Sequence, residues 1–170
     1  PDPAAAERAA QLPTGLGFLS SWDRWDVGWF MQIATHGYDS KDASAAFFPV
    51  FPLLVRGLGG LLAGQYLVAG FLVSNIALLL ALWLLYEASA QELGADRARS
   101  VVVLLCVFPT SFFLFAPYTE ALFLLSSLAC LYLARNGRWL PAALCGIAAS
   151  ATRSAGLLLV LPLAIEAFQQ

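Results

Sequence analysis

Residues 66–86 read YLVAGFLVSNIALLLALWLLY, an unbroken run without a charged side chain. A helix needs about 20 consecutive apolar residues to cross a hydrocarbon core of about 30 Å, so this run alone is long enough to span a bilayer. Composition points the same way. Of 170 residues, 60% are hydrophobic and 12% charged, and the mean hydropathy is +0.75. A soluble globule of this make-up would leave far more apolar surface in water than it could bury. The reading is an all-α integral membrane protein, multi-pass, with the lipid bilayer as its first partner.

Toward the C-terminus the apolar runs continue. After the polar residues 87–99, which carry Arg97 and Arg99, a second span is expected at about 100–117, interrupted by Pro109. A third follows at 120–134, a fourth at 139–154 and a further apolar stretch at 155–168 containing Pro162, so that 66–170 forms a transmembrane helical region. Arg135-Asn136-Gly137-Arg138 is a tight basic turn with a glycine where a helix C-cap needs one. The loops at Arg97–Arg99 and Arg135–Arg138 fall on the same side, and the positive-inside rule makes that side cytoplasmic.

Toward the N-terminus, residues 1–65 read as the first extracytoplasmic loop, with two short interfacial helices. The first runs from about Ser21 to Thr35, with Ser20 or Ser21 as N-cap and Gly37 as stop signal. In such a helix Asp23 and Asp26 share a face while Trp22, Trp25, Trp29 and Ile33 form an apolar stripe. Asp23 sits in the first turn, where the helix dipole explains its charge, so its loss should cost only a few tenths of a kcal/mol. The second starts at Pro49 or Pro52 and runs to about Leu62. Residues 1–17 read as a loop or a frayed short helix without chemistry. Because the chain begins Pro1-Asp2-Pro3-Ala4 and Gln170 follows an apolar run directly, it reads as an internal fragment whose missing spans would be partners in the full-length chain.

Several function classes fall away. A net charge of −2 supplies no basic stripe for nucleic acid. Cys106, Cys130 and Cys145 lie in apolar runs and share no metal-ligand spacing with one another or with His36, so no metal site and no cofactor is expected; a divalent cation is left open.

The polar residues that remain carry two readings each. Asp26 is either a catalytic carboxylate or a water-facing group on an interfacial anchor. Arg153 lies about 21 Å along its helix from Trp139, near the outer end of a span. There it is either a clamp for a phosphate or carboxylate, or a side chain snorkelling to headgroups. Glu120 is the nearest candidate partner for Arg153, and otherwise a first-turn acid favoured by the dipole. Tyr118, His36 and Tyr38 are weaker signals, since interfacial tyrosines and helix-end histidines are common.

These residues sit in longer motifs. Trp25-Asp26, Ile33-Ala34-Thr35-His36-Gly37-Tyr38 and Phe47-Phe48-Pro49-Val50-Phe51-Pro52-Leu53 together resemble the first outer loop of the PIG-V-type mannosyltransferases. Ala116-Pro117-Tyr118-Thr119-Glu120-Ala121-Leu122-Phe123 and Ala151-Thr152-Arg153-Ser154-Ala155-Gly156 resemble two further motifs of that family, in the same order. The resemblance implies a fragment of a GT-C type fold, a multi-span helical enzyme of the kind used in GPI-anchor biosynthesis. Such an enzyme moves mannose or a similar hexose from a polyprenyl-phosphate donor to an acceptor hydroxyl on the extracytoplasmic or lumenal face. It implies Asp26 as catalytic base, with Arg153, Glu120, Tyr118, His36 and Tyr38 toward the substrate and the donor phosphate. Two alternatives stand beside it: another GT-C transferase, acting on protein hydroxyls or on aminoarabinose, and a non-catalytic membrane scaffold or transporter portion.

Overall fold

The computed structural model describes residues 3–10 and 12–170, and among them every regular element is helical. The elements are α1 (Pro3–Ala10), a 3-10 turn (Gly17–Trp22), α2 (Asp26–His36), a 3-10 turn (Ala43–Ala46), α3 (Val50–Leu61), α4 (Tyr66–Leu93), α5 (Ala95–Val107), α6 (Phe112–Phe115), α7 (Glu120–Arg135), α8 (Trp139–Ser150), a 3-10 helix (Ser154–Leu159) and α9 (Val160–Gln169).

The 66–86 run is the spine. It extends into the 28-residue α4, about 42 Å long by its rise per residue. Elements α2, α3, α5, α6 and α7 all pack on it. Gly70 permits a close approach: a Cβ there would lie 3.1 Å from both Met31 Cε and Pro117 Cβ. The run is not wholly apolar, and its two polar residues have work to do. Ser74 Oγ donates to the Tyr118 carbonyl at 3.1 Å, and Asn75 Nδ2 donates to the Phe115 carbonyl at 2.9 Å. These two bonds give the turn's carbonyls partners, and the 115–118 turn is thereby pinned to α4.

Hairpins set the rest. Gly94, at φ 86, turns α4 into α5, and Gly137, at φ 69, turns α7 into α8; both conformations suit glycine. Small buried residues, Ala121, Cys130 and Ala134 on α7 and Ala142 and Ala149 on α8, let those two backbones come close.

The N-terminal half departs from expectation. Instead of one helix over 21–35, the chain forms a 3-10 turn to Trp22, breaks at Asp23–Trp25, and starts α2 at Asp26. Trp25, at φ 52 and ψ −126, makes the break, so Asp23 and Asp26 do not share a helix face. Nor does α2 lie free on a surface. Val27 and Met31 are fully buried in a core with Phe51 and Val55 of α3 and Leu67 and Phe71 of α4. Residues 1–17 are not inert either. Arg8 of α1 makes a bidentate ion pair with Asp23, Nε to Oδ2 at 2.6 Å and Nη2 to Oδ1 at 3.0 Å, and only 1% of the Asp23 side chain is exposed.

Toward the C-terminus the helices are shorter than the expected spans. The 100–117 segment divides into the end of α5, a turn at Pro109 and the four-residue α6, while 139–154 ends its helix at Ser150 and 155–168 divides between a 3-10 helix and α9. Among the described residues one helix, α4, is long and apolar enough to cross a membrane; Val50–Leu61, Trp139–Ser150 and Ser154–Gln169 are apolar but shorter. Large apolar side chains on several elements nonetheless face outward, among them Leu79 and Trp83 on α4, Leu104 and Val107 on α5, Leu140 and Ile147 on α8, and Leu161 and Phe168 on α9.

Candidate functional site

At one end of this bundle four separated parts of the chain meet. A cavity of about 230 Å³ is lined by Asp26 and Phe30 of α2, Phe47 and Phe48 of the loop before α3, Tyr118, Thr119 and Glu120 at the start of α7, and Thr152, Arg153 and Ser154 after α8.

Each wall has a local cause. Asp26 is in the first turn of α2, where the helix dipole stabilises a carboxylate, and it is exposed to the cavity. Arg153 follows the end of α8 in an extended conformation, φ −152 and ψ 147, which turns its side chain away from the helix axis. Its guanidinium donates to Thr119 Oγ1 at 3.2 Å and forms an ion pair with Glu120 Oε1. Thr119 stands at the N-cap of α7 but does not cap it; its hydroxyl accepts from Arg153 instead. The Val50 amide donates to the Ala151 carbonyl at 3.2 Å, tying the start of α3 to the Arg153 segment. Gly156 closes the arrangement: a Cβ there would lie 2.5 Å from the Ser150 Cα and the Ala149 carbonyl carbon, so only glycine lets the 3-10 helix fold back on α8.

The electrostatics are mixed by design of the fold. Arg153 is the cation, with 41% of its side chain exposed, and Glu120 is less exposed at 30%. One carboxylate oxygen of Glu120 holds Arg153, while Oε2 is buried without a hydrogen-bond partner among the described residues. Such an oxygen is costly unless something donates to it. Tyr118 is only 5% exposed and its hydroxyl donates to the Arg24 carbonyl at 3.4 Å. Burial first, and then the negative charges of Asp26 and Glu120, push its phenol above the ordinary value of 10.0. It stays protonated at physiological pH and braces the Asp23–Trp25 break from below.

Asp26, Tyr118, Glu120 and Arg153 therefore line one cavity, whereas His36 and Tyr38 lie elsewhere. His36 is at the far end of α2 in a separate cavity with Trp25, Trp29 and Gln32. Tyr38 is an exposed loop residue whose hydroxyl donates to the Phe47 carbonyl at 3.0 Å, bracing the loop rather than entering the cleft. Sequence reasoning missed Thr119, Ser74, Asn75, Arg8 and Gly156. The adjacent polar pair in an otherwise apolar run was a legible signal for Ser74 and Asn75; nothing in the sequence pairs Arg8 with Asp23. Among the described residues no group of three His, Cys, Asp or Glu side chains converges to hold a metal.

The family model described as Mannosyltransferase (PIG-V) matches residues 14–169, nearly the whole chain. The chain belongs to the PIG-V mannosyltransferase family. Among its PIG-V relatives, GPI alpha-1,6-mannosyltransferase 2 of Mus musculus is 35% identical over 164 residues, 91% of this chain and 33% of the relative. The protein of the same name from Cricetulus griseus is 35% identical over 154 residues, 85% of this chain and 31% of the relative. That of Homo sapiens is 32% identical over 157 residues, again 85% and 31%. The chain thus spans about a third of the length of the curated relatives it matches. No solved structure matches it. The PIG-V match takes in all four parts of the chain that build the cleft.

Proposed function

We propose that this chain carries the catalytic end of a membrane mannosyltransferase that moves mannose from a polyprenyl-phosphate donor to an acceptor hydroxyl. The observation that carries the reading is the cleft itself, which sets a carboxylate, Asp26, opposite a guanidinium, Arg153, drawn from distant parts of the chain. Family membership supplies the sugar and the class of reaction. Asp26 takes the proton of the acceptor hydroxyl as its oxygen bonds to C1 of the mannosyl group. The bond from C1 to the phosphate oxygen breaks, and the electron pair leaves with the polyprenyl phosphate. Arg153, held in aim by Thr119 and Glu120, together with the N-terminus of α7, stabilises the negative charge that develops there. Glu120 Oε2 accepts from a hydroxyl of the donor sugar, relieving its own lack of a partner.

The bilayer arrangement belongs to the same proposal. The cleft faces the extracytoplasmic or lumenal side, and the cytoplasmic side takes the Arg135–Arg138 turn together with Arg97 and Arg99, which lie in the first turns of α5 rather than in the expected loop. In support, Glu120 at the start of α7 lines the cleft, whereas Arg135 at its end pairs with Glu92 near the end of α4. The outward apolar side chains of α4, α5, α8 and α9 would meet lipid or the remaining spans of a multi-span GT-C bundle.

The test is radiolabelled mannosyl transfer by the full-length enzyme from polyprenyl-phosphate-mannose. Asp26→Asn should lower turnover by about 100-fold or more, the usual contribution of a general base. Arg153→Ala should lower it by a similar factor, as loss of a group on the developing charge does. Full activity in both variants would sink the proposal.

A further inference from the structure

Between the 3-10 turn Gly17–Trp22 and α2 the chain crosses only Asp23, Arg24 and Trp25, and this crossing sets where Asp26 emerges. Both flanks are anchored by apolar packing. Leu19 is buried and the Trp22 ring lies 6.3 Å from that of Phe112 and 6.1 Å from that of Phe115, while Val27 and Met31 are fully buried on the α2 side. The crossing has no such support. Arg24 is exposed and Trp25 leaves 73% of its surface exposed, yet Trp25 holds φ 52 and ψ −126, a conformation strained for a bulky residue. Such strain persists only where the surroundings over-determine it, and here the polar contacts must do so.

Arg8 is placed for that task. Its fork takes both carboxylate oxygens of Asp23, with 16% of the Arg8 side chain and 1% of the Asp23 side chain exposed. Two charge-assisted bonds in parallel fix direction as well as distance. The same guanidinium reaches past Trp25 to the first turn of α2, where a Cβ added to Gly28 would lie 3.8 Å from Nη2. One side chain thus meets the chain on both sides of the strained residue. Between those contacts the Arg24 carbonyl accepts from the Val27 amide at 3.2 Å and from the Tyr118 hydroxyl at 3.4 Å. Only Arg24 and Trp25 separate the two aspartates, so a shift of Asp23 is passed on to Asp26.

We propose that Arg8 is a positioning residue for the transfer: its fork on Asp23 and its reach to the start of α2 hold the Asp23–Trp25 crossing in the form that sets the Asp26 carboxylate in the cleft. The proposal rests on the reading of Asp26 as the base.

The test uses the full-length enzyme in micelles, with steady-state mannosyl transfer and fluorine NMR of fluorotryptophan-labelled protein, the Trp25 line being assigned by Trp25→Phe. Arg8→Ala should lower kcat by about tenfold, less than the about 100-fold of a misplacement near 1 Å, with both KM values unchanged and the Trp25 line shifted or broadened. Arg8→Lys keeps the charge and so the fold, but loses the fork, and it should show a smaller loss of the same kind. The decisive arm adds each substitution to Asp26→Asn. With the carboxylate gone there is nothing left to aim, so neither should lower turnover further. A loss that recurs in full on Asp26→Asn would show that Arg8 merely keeps the protein folded, and would overturn the proposal. Wild-type kcat in both Arg8 variants would overturn it as well. If Asp26→Asn itself retains full activity, the assignment of the base fails, and the Trp25 line alone then tells whether Arg8 holds the crossing: a displaced line upholds the clamp and an unmoved one refutes it.

Discussion

Replacing Gly156 by alanine should disable the cleft without touching any residue that lines it. The added Cβ would come 2.5 Å from the Ser150 Cα and the Ala149 carbonyl carbon, where carbon atoms otherwise sit about 3.5–4.0 Å apart. Both neighbours are backbone of α8, so relief means moving the 3-10 helix outward by roughly 1 Å. The Gly156 amide donates to the Arg153 carbonyl at 2.9 Å, and Arg153 begins this segment, so the displacement reaches the guanidinium. Its 3.2 Å bond to Thr119 has little length to spare. Overpacking of this kind costs about 1–3 kcal/mol of stability, and a misplacement near 1 Å in a catalytic group costs about 100-fold in rate. The full-length enzyme would be assayed for mannosyl transfer and thermal unfolding beside Gly57→Ala, a helical position where an added Cβ meets nothing within 4 Å. Gly57→Ala should be neutral or slightly stabilising. Wild-type turnover and an unchanged melting temperature in Gly156→Ala would refute the claim that this close approach positions Arg153.

Asp23→Asn should lower stability by about 3 kcal/mol, because it removes the carboxylate charge from a nearly closed ion pair with Arg8, and a melting curve of the full-length protein would read this directly; a loss of only a few tenths would mean the ion pair holds nothing. For Tyr118, the folded protein raises the phenol above its unfolded value near 10.0, so its contribution to stability is complete below pH 10 and is lost as pH rises through the folded value. Tyr118→Phe should flatten that alkaline slope in pH-dependent unfolding, and an unaltered slope would assign it to other groups.

Helical character and the polar residues worth watching were legible in the sequence. A run of apolar residues from 66 to 86 permits little but a helix, since no other single segment satisfies its own backbone away from water. Arg153 and Glu120 stood out because charge beside long apolar runs is costly unless it is paired, and they are paired with each other. The sequence reading prefers Asp26 to Asp23 on the ground that a first-turn dipole explains Asp23, whereas the structure puts Asp26 in the first turn of α2 and Asp23 in an ion pair. Periodicity made 21–35 one helix, because the indole spacing of three and four fits a 3.6-residue turn whether or not the backbone continues.

The physical reason that sets the two aspartates apart was tertiary. The positive φ of Trp25 breaks the helix, Arg8 from a preceding helix removes Asp23 into an ion pair, and Tyr118 and the 119–120 turn come up under Asp26. The same holds for His36 and Tyr38, which are neighbours of Asp26 in a motif but lie outside the cleft, at or beyond the far end of α2. Sequence alone determined the helical class and the chemical inventory, because hydropathy and side-chain type are local properties. Which of those groups share a cavity is set by how α2, the start of α7 and the end of α8 converge, and that depends on contacts between residues far apart in the chain, such as Gly156 on Ser150 and Ser74 on Tyr118.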